Sequence, residues 1–185
     1  LSAENSIGTQ FRVDAGVLDI RDSFFSWNSG RRGAIVAFNS SVSISTSLFD
    51  SNSCNGNGGA VFMDDGCNGT FTSVLFVNNS AQAGGALHFA DPYDIQIFAS
   101  VFQRNTASEG SGGALHIRNN EPQPEKSLVI EDCLFQRNFA EEGGGGISIS
   151  HWDDDAVMIR SSVFQENSVQ TQSRRGSDDA SGGAL

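Results

Sequence analysis

Two short motifs alternate along the 185-residue chain, and no other feature constrains its fold as tightly. Phe-x-x-Asn occurs six times, from Phe25 to Asn28, Phe49 to Asn52, Phe76 to Asn79, Phe102 to Asn105, Phe135 to Asn138 and Phe164 to Asn167. Between these copies lie small residues closed by an aliphatic one. They are Gly33-Ala34-Ile35, Gly58-Gly59-Ala60-Val61, Gly84-Gly85-Ala86-Leu87, Gly112-Gly113-Ala114-Leu115, Gly144-Gly145-Gly146-Ile147 and Gly182-Gly183-Ala184-Leu185. Strict alternation means one repeated unit with two parts. An eroded earlier copy starts at Asn5 and continues from Gly8 to Val13.

Five positions before each motif Phe stands an apolar residue: Ile20, Ile44, Phe71, Ile97, Ile130 and Ile159. Period-two alternation surrounds it, as in Ile95-Gln96-Ile97, and follows each glycine run, as in Leu115-His116-Ile117. Both halves of the unit read as short strands with one buried face, and no segment carries a sustained helical stripe. Successive motif Phe are 24, 27, 26, 33 and 29 residues apart, the size of one solenoid coil built from two or three strands. The fold expected is all-β: a right-handed parallel β-helix, or β-solenoid, of about six to seven coils, the hand following from the usual sense of parallel crossovers. In such a stack the Phe form an internal ladder. Each Asn is expected at a corner, in a left-handed backbone, hydrogen-bonded to the Asn of the next coil. The glycines suit a corner that needs positive φ or close backbone approach. A sandwich or antiparallel barrel also has many short strands, but rarely repeats one motif in register.

Composition narrows function. Twenty-two Asp and Glu against 11 Lys and Arg leave a formal charge of −11, unlike a nucleic-acid or anionic-membrane binder, which clusters Lys and Arg. No apolar run reaches the roughly 18 to 20 residues that span a bilayer. Fourteen Phe against one Tyr and two Trp fit dry stacking, since Phe has no polar atom to satisfy.

The two alternating motifs resemble the repeat of the chlamydial polymorphic outer-membrane proteins, autotransported adhesins with a pectin-lyase-like right-handed β-helix passenger. The resemblance implies a non-enzymatic extracellular or cell-surface module, structural or adhesive, and able to join an extracellular filament. It implies as partners other copies or neighbouring domains of a large surface protein, glycans, or host and cell-surface proteins. Residues 1–185 are expected to form a single β-helix segment of a longer chain, because Leu185 stops just inside a new strand and no cap or translocator barrel is present.

Three cysteines allow one disulfide and one thiol left over. Cys54 and Cys67 flank the strand around Ala60 to Met63 and are expected to bridge. Cys133 stands where other coils have Ser23, Ser47, Ser100 and Ser162, and reads as a small packed residue. Glycosylation sequons start at Asn39, Asn68 and Asn78, with Asn68 best placed on a Gly-flanked loop.

The alternative function is a carbohydrate-active enzyme of the same fold, a polysaccharide lyase or glycoside hydrolase. It requires a carboxylate cluster with a basic residue on a sheet face. Acidic candidates are Asp64-Asp65, Asp91 with Asp94, Asp153-Asp154-Asp155 beside His151, and Asp178-Asp179. These also admit weak Ca²⁺ binding through oxygen ligands, although no fixed ligand spacing supports it and no cofactor is expected. No catalytic residue and no metal ligand is assigned. His88 and His116 fall at one outward position of adjacent coils, after Arg12, Val36 and Phe62, and are expected to be solvated. Arg31-Arg32 and Arg174-Arg175 read as solvated turns, Trp27 as part of a Phe-x-x-Asn turn, and Trp152 as cover beside the acidic loop. Spacing between glycine motifs grows from 26, 26 and 28 to 32 and 38 residues, so loops lengthen toward the C-terminus.

Overall fold

A computed structural model describes residues 2–4, 6–120, 126–151 and 156–170. Among these every regular element is a strand, and every strand pair is parallel. The strands stack into one seven-stranded sheet and three six-stranded sheets, which gives six successive coils of a β-solenoid. The coil around the fourth Phe-x-x-Asn shows the plan. Leu87–Ala90 follows the glycines, Asp94–Phe98 comes next, Val101–Gln103 carries the motif Phe, and Thr106–Ala107 follows the Asn. We call the four stacks the glycine, flank, phenylalanine and corner sheets. A coil therefore has four strands, not two or three. The fourth is two residues long, too short to show an alternation in sequence.

Coil-to-coil register follows the motifs. Phe102 pairs with Phe76 and Phe135, Ile97 with Phe71 and Ile130, and Leu87 with Val61 and Leu115. The eroded first copy is also in register: Ala3 pairs with Phe25 and Phe11 with Ile35. Alternate residues of three sheets point into one shared core, where Phe25, Phe49, Phe76, Phe102 and Phe135 are fully buried. Their rings, with Phe164, stack at centroid spacings of 4.7, 5.2, 4.9, 4.6 and 4.8 Å, tilted by at most 18°. That interval is the strand spacing itself, so hydrogen-bond register places the rings and burial of about 2 to 3 kcal/mol per Phe holds them.

The Asn residues form a second internal ladder. From Asn28 to Asn138, each amide donates to Oδ1 of the next coil's Asn at 2.8 to 3.1 Å. From Asn52 to Asn167, each also donates to the motif Phe carbonyl of the preceding coil at 2.8 to 3.0 Å. The left-handed residue of this corner is not the Asn but the one before it: Trp27, Ser51, Asn78, Arg104, Arg137 and Glu166, with φ between 55° and 56°. There the side chain points to solvent while the backbone N–H still reaches the next coil, as Arg104 does to Gln136 at 3.0 Å. Asn recurs at this position because its amide donates to two coils and also accepts from the backbone N–H and amide of the preceding Asn.

The two glycines of the glycine motif answer different demands. Gly112 has φ +72°, disfavoured for residues with a Cβ. A Cβ on Gly113 would strike the Gly145 carbonyl oxygen, so here the need is close approach of backbones.

Candidate functional site

Corners on either side of the phenylalanine sheet keep a constant length. Residues 22–23, 46–47, 73–74, 99–100, 132–133 and 161–162 form one, and 27–28, 51–52, 78–79, 104–105, 137–138 and 166–167 the other. The corners on either side of the glycine sheet vary. On one side the described corners run 15–16, 39–40, 65–67 and 91–93; on the other 31–34, 55–60, 82–86, 108–114 and 141–146. Length variation is thus confined to the two rims of one sheet.

The middle of one outward column of that sheet is covered rather than solvated. Arg12, Val36, Phe62, His88, His116 and Ser148 occupy one outward column, as the alternation requires. Yet Val36, Phe62 and His88 are buried, with His88 only 3% exposed, and His116 is half-buried. The glycine corners lie on top of them: a Cβ on Gly84 would sit 3.1 Å from the His88 Cβ, and one on Gly112 2.8 Å from the His116 Cβ. Phe62 stacks on His88 at 5.4 Å, and His88 meets His116 edge-on at 4.9 Å. His88 Nε2 lies 3.5 Å from the Asn57 amide, while Nδ1 of both imidazoles is buried without a hydrogen bond. Burial, with nearby positive charge, pushes the pKa of His88 down to about 3 and that of His116 to about 4, so both are neutral at physiological pH. The expectation of solvated histidines is corrected, because a strand pattern tells which side of the sheet a residue faces but not what lies beyond it.

Arg31 and Arg32 are both exposed, as expected of a solvated turn, and Arg32 also packs on rings. Arg32 places its guanidinium 4.4 Å from the Phe62 ring centroid and 5.2 Å from that of Phe38, over which Arg12 also lies at 4.7 Å. No sequence pattern signals this packing, since Phe38 and Arg32 belong to different parts of the repeat. Trp27 stands exposed at its left-handed corner.

The acidic candidates among the described residues, Asp64, Asp65, Asp91 and Asp94, lie at the rim where glycine strands turn into flank strands. Burial, with Asp65 and Asp91 near, raises the Asp64 carboxyl above its ordinary range. Asp91 accepts hydrogen bonds from the Asn120 backbone N–H at 2.5 Å and its amide at 2.8 Å, joining two coils. Asp94 accepts from Gln96 at 2.8 Å and from the Ser127 hydroxyl. Among the described residues no three His, Cys, Asp or Glu side chains converge as a metal site. Trp152, Asp153, Asp154, Asp155, Arg174, Arg175, Asp178, Asp179 and the last glycine motif from Gly182 to Leu185 lie outside the described residues.

Cys54 and Cys67 are both free, which corrects the expected bridge. They occupy opposite ends of the strand Val61–Asp64, at different corners of the coil, and each thiol has its own partner. Cys54 Sγ donates to the Asn57 carbonyl at 3.4 Å, and Cys67 Sγ to the Asp64 carbonyl at 3.0 Å. Burial pushes the Cys54 thiol up to about 11 and raises Cys67 as well, so neither is a ready thiolate. Cys133 is free and buried, its thiol 3.2 Å from the Glu131 carbonyl. The sequon residues Asn39, Asn68 and Asn78 are all exposed, and Asn78 also donates to Asp50 at 3.2 Å.

A family model described as the Chlamydia polymorphic membrane protein repeat matches residues 46–64, a span with one Phe-x-x-Asn and one glycine motif. Residues 46–64 are thus similar to one such repeat. Over 83 residues the chain is also 32% identical to "Probable autotransporter YfaL" of Escherichia coli (strain K12), a match covering 40% of this chain and 7% of that protein. The chain thus aligns with a small part of that relative's length. No solved structure gives a significant match. The repeat match and the autotransporter relative together indicate a surface-protein module, located at the cell surface or in the extracellular space. Among the described residues no helix is long and apolar enough to cross a membrane.

Proposed function

We propose that this segment is a non-enzymatic, cofactor-free display rod: a stiff β-solenoid that holds variable corners in line along one side for adhesion to glycans or proteins of another surface. The observation that carries the reading is the confinement of length variation to the two rims of the glycine sheet, while the remaining corners stay constant. A rigid ladder with loops free to change is how a scaffold acquires binding specificity without altering its fold. The two imidazoles, the groups best suited to proton transfer near neutrality, are withdrawn under the glycine corners, which supports a packing role over a catalytic one.

The test is a corner exchange. Replacing residues 108–114 by the shorter 55–60 sequence is expected to leave the melting temperature within a few degrees and to lower binding of labelled chain to fixed epithelial monolayers several-fold. Unchanged binding overturns the assignment of the rims. Cleavage of polygalacturonate or a neutral polysaccharide by the chain, lost on Asp64→Asn or Asp153→Asn, overturns the non-enzymatic reading in favour of a carbohydrate-active enzyme. A melting temperature that falls in excess chelator overturns the cofactor-free reading.

A further inference from the structure

The phenylalanine sheet, which the display reading leaves unused, carries a feature of its own on its outer face. Phe24, Leu48, Leu75, Val101, Leu134 and Val163 pair in register from coil to coil, so one outward column is apolar along all six coils. Each is half-buried or exposed, with Leu75 at 37% and Val163 at 53%. The neighbouring outward column is Ser26, Asp50, Val77, Gln103, Gln136 and Gln165, and Asp50 is the one charged residue on these six strands. The seventh strand of this sheet, Ser2–Glu4, adds Glu4 at its end. The corner strands are also uncharged, but they carry mostly Ser, Thr, Gly and Ala. In a chain of net charge −11 the phenylalanine sheet is the one that joins low charge to a continuous apolar column.

From this geometry we infer that the phenylalanine sheet pairs with the same sheet of a second copy, the two rods side by side and parallel. A second copy carries the same ladder at the same spacing of about 4.8 Å, so a single good register repeats at every coil. Charge on the rims selects the parallel arrangement. Along one rim stand Asp22, Thr46, Ser73, Ala99, Asp132 and Ser161, and along the other Trp27, Ser51, Asn78, Arg104, Arg137 and Glu166. A two-fold axis parallel to the rods sets each rim against the opposite rim at equal height. Asp132 then faces Arg137 of the second copy, twice over, and no like charges meet. Arg137, already 2.5 Å from Glu166, keeps that contact as the outer member of a three-charge cluster. An antiparallel two-fold puts each rim against itself and creates no opposite-charge pair between Asp132 and Arg137. The stripe is about 24 Å long and 10 Å wide, well under the roughly 800 Å² per partner of a stable complex, so pairing is weak in this segment and strengthens with each added coil.

Disulfide trapping on the 185-residue chain tests this, because its own three thiols are buried. Leu75→Cys is expected to form a covalent dimer under mild oxidation, and adding Val101→Asp is expected to cut its yield at least tenfold with little change in the melting temperature. Arg137→Glu is expected to lower the yield, and Asp132→Arg together with Arg137→Glu to restore it. Absence of the Leu75→Cys dimer at millimolar protein, or an equal yield with Val101→Asp, overturns the inference. In a mixture of Leu75→Cys and Val101→Cys chains, preferential 75-to-101 crosslinking overturns the parallel arrangement. The corner exchange reads binding to cells and leaves this face untouched, so the two proposals fail separately.

Discussion

Two stacks of rings run along this rod, one inside the coil and one outside it, and they obey different rules. Inside, the motif Phe lie nearly parallel at 4.6 to 5.2 Å. Outside, Phe38, Phe62, His88 and His116 are spaced 6.1, 5.4 and 4.9 Å apart, with interplanar angles of 57°, 8° and 84°. The same parallel register underlies the inner stack and the run from Phe62 to His116, whereas Phe38 pairs with Asp64 and meets Phe62 from the neighbouring column. The inner rings are walled by three sheets that repeat without change, so one rotamer fits every coil. The outer rings are covered by corners of unequal length, so each meets a different lid. Polar groups show the same contrast: from Asn52 to Asn138 the ladder satisfies both ends of its amides, leaving only Oδ1 of Asn28 at its start unpaired, whereas both buried imidazoles leave Nδ1 unpaired.

The comparison is broken most severely from within. Phe102→Asp puts an unpaired carboxylate in the inner stack, a cost that exceeds about 5 kcal/mol and rivals the stability of a whole domain. The variant is expected to show no cooperative melt by circular dichroism, and a stable folded variant would reassign the inner face. Next in size is Asn105→Ala. It strips partners from the Asn79 backbone N–H and amide and from the Phe76 carbonyl, all buried. A loss of about 3 kcal/mol or more is expected in urea unfolding. The outer stack should respond in the opposite direction. His88→Phe keeps the ring contacts and removes an unpaired polar atom, and a gain of about 1 kcal/mol is expected.

The same substitution sharpens the contrast through pH. Unfolding returns the two imidazoles from about 3 and about 4 to their ordinary value near 6.5, so below that value the unfolded chain binds protons that the folded chain refuses. Stability is full above about pH 6.5 and falls as pH drops toward 4. The melting temperature is expected to decline across that window and to decline less steeply in His88→Phe. Equal slopes would show that His88 is not held neutral by the fold.

How much of this was legible depends on whether a residue's surroundings repeat. The motif Phe, the inward aliphatics and the coil count were readable because each coil supplies the next coil's environment, so periodicity in sequence is periodicity in space. The Asn ladder was readable for the same reason, yet its left-handed corner falls on the preceding residue: the amide must point inward, and only its neighbour is free to bend the chain. The two-residue corner strand was invisible because alternation needs more than two positions.

The solenoid, its inward face and the regular stacking of that face are all written in the chain, since local alternation and backbone register suffice for all three. Tertiary structure alone decided that Cys54 and Cys67 stay apart, that Arg32 covers Phe62, and that His88 lies dry beneath a glycine corner. Those outcomes depend on how corners of unequal length fold back over the sheet. A contact between a loop and a face it does not belong to leaves no period in the chain.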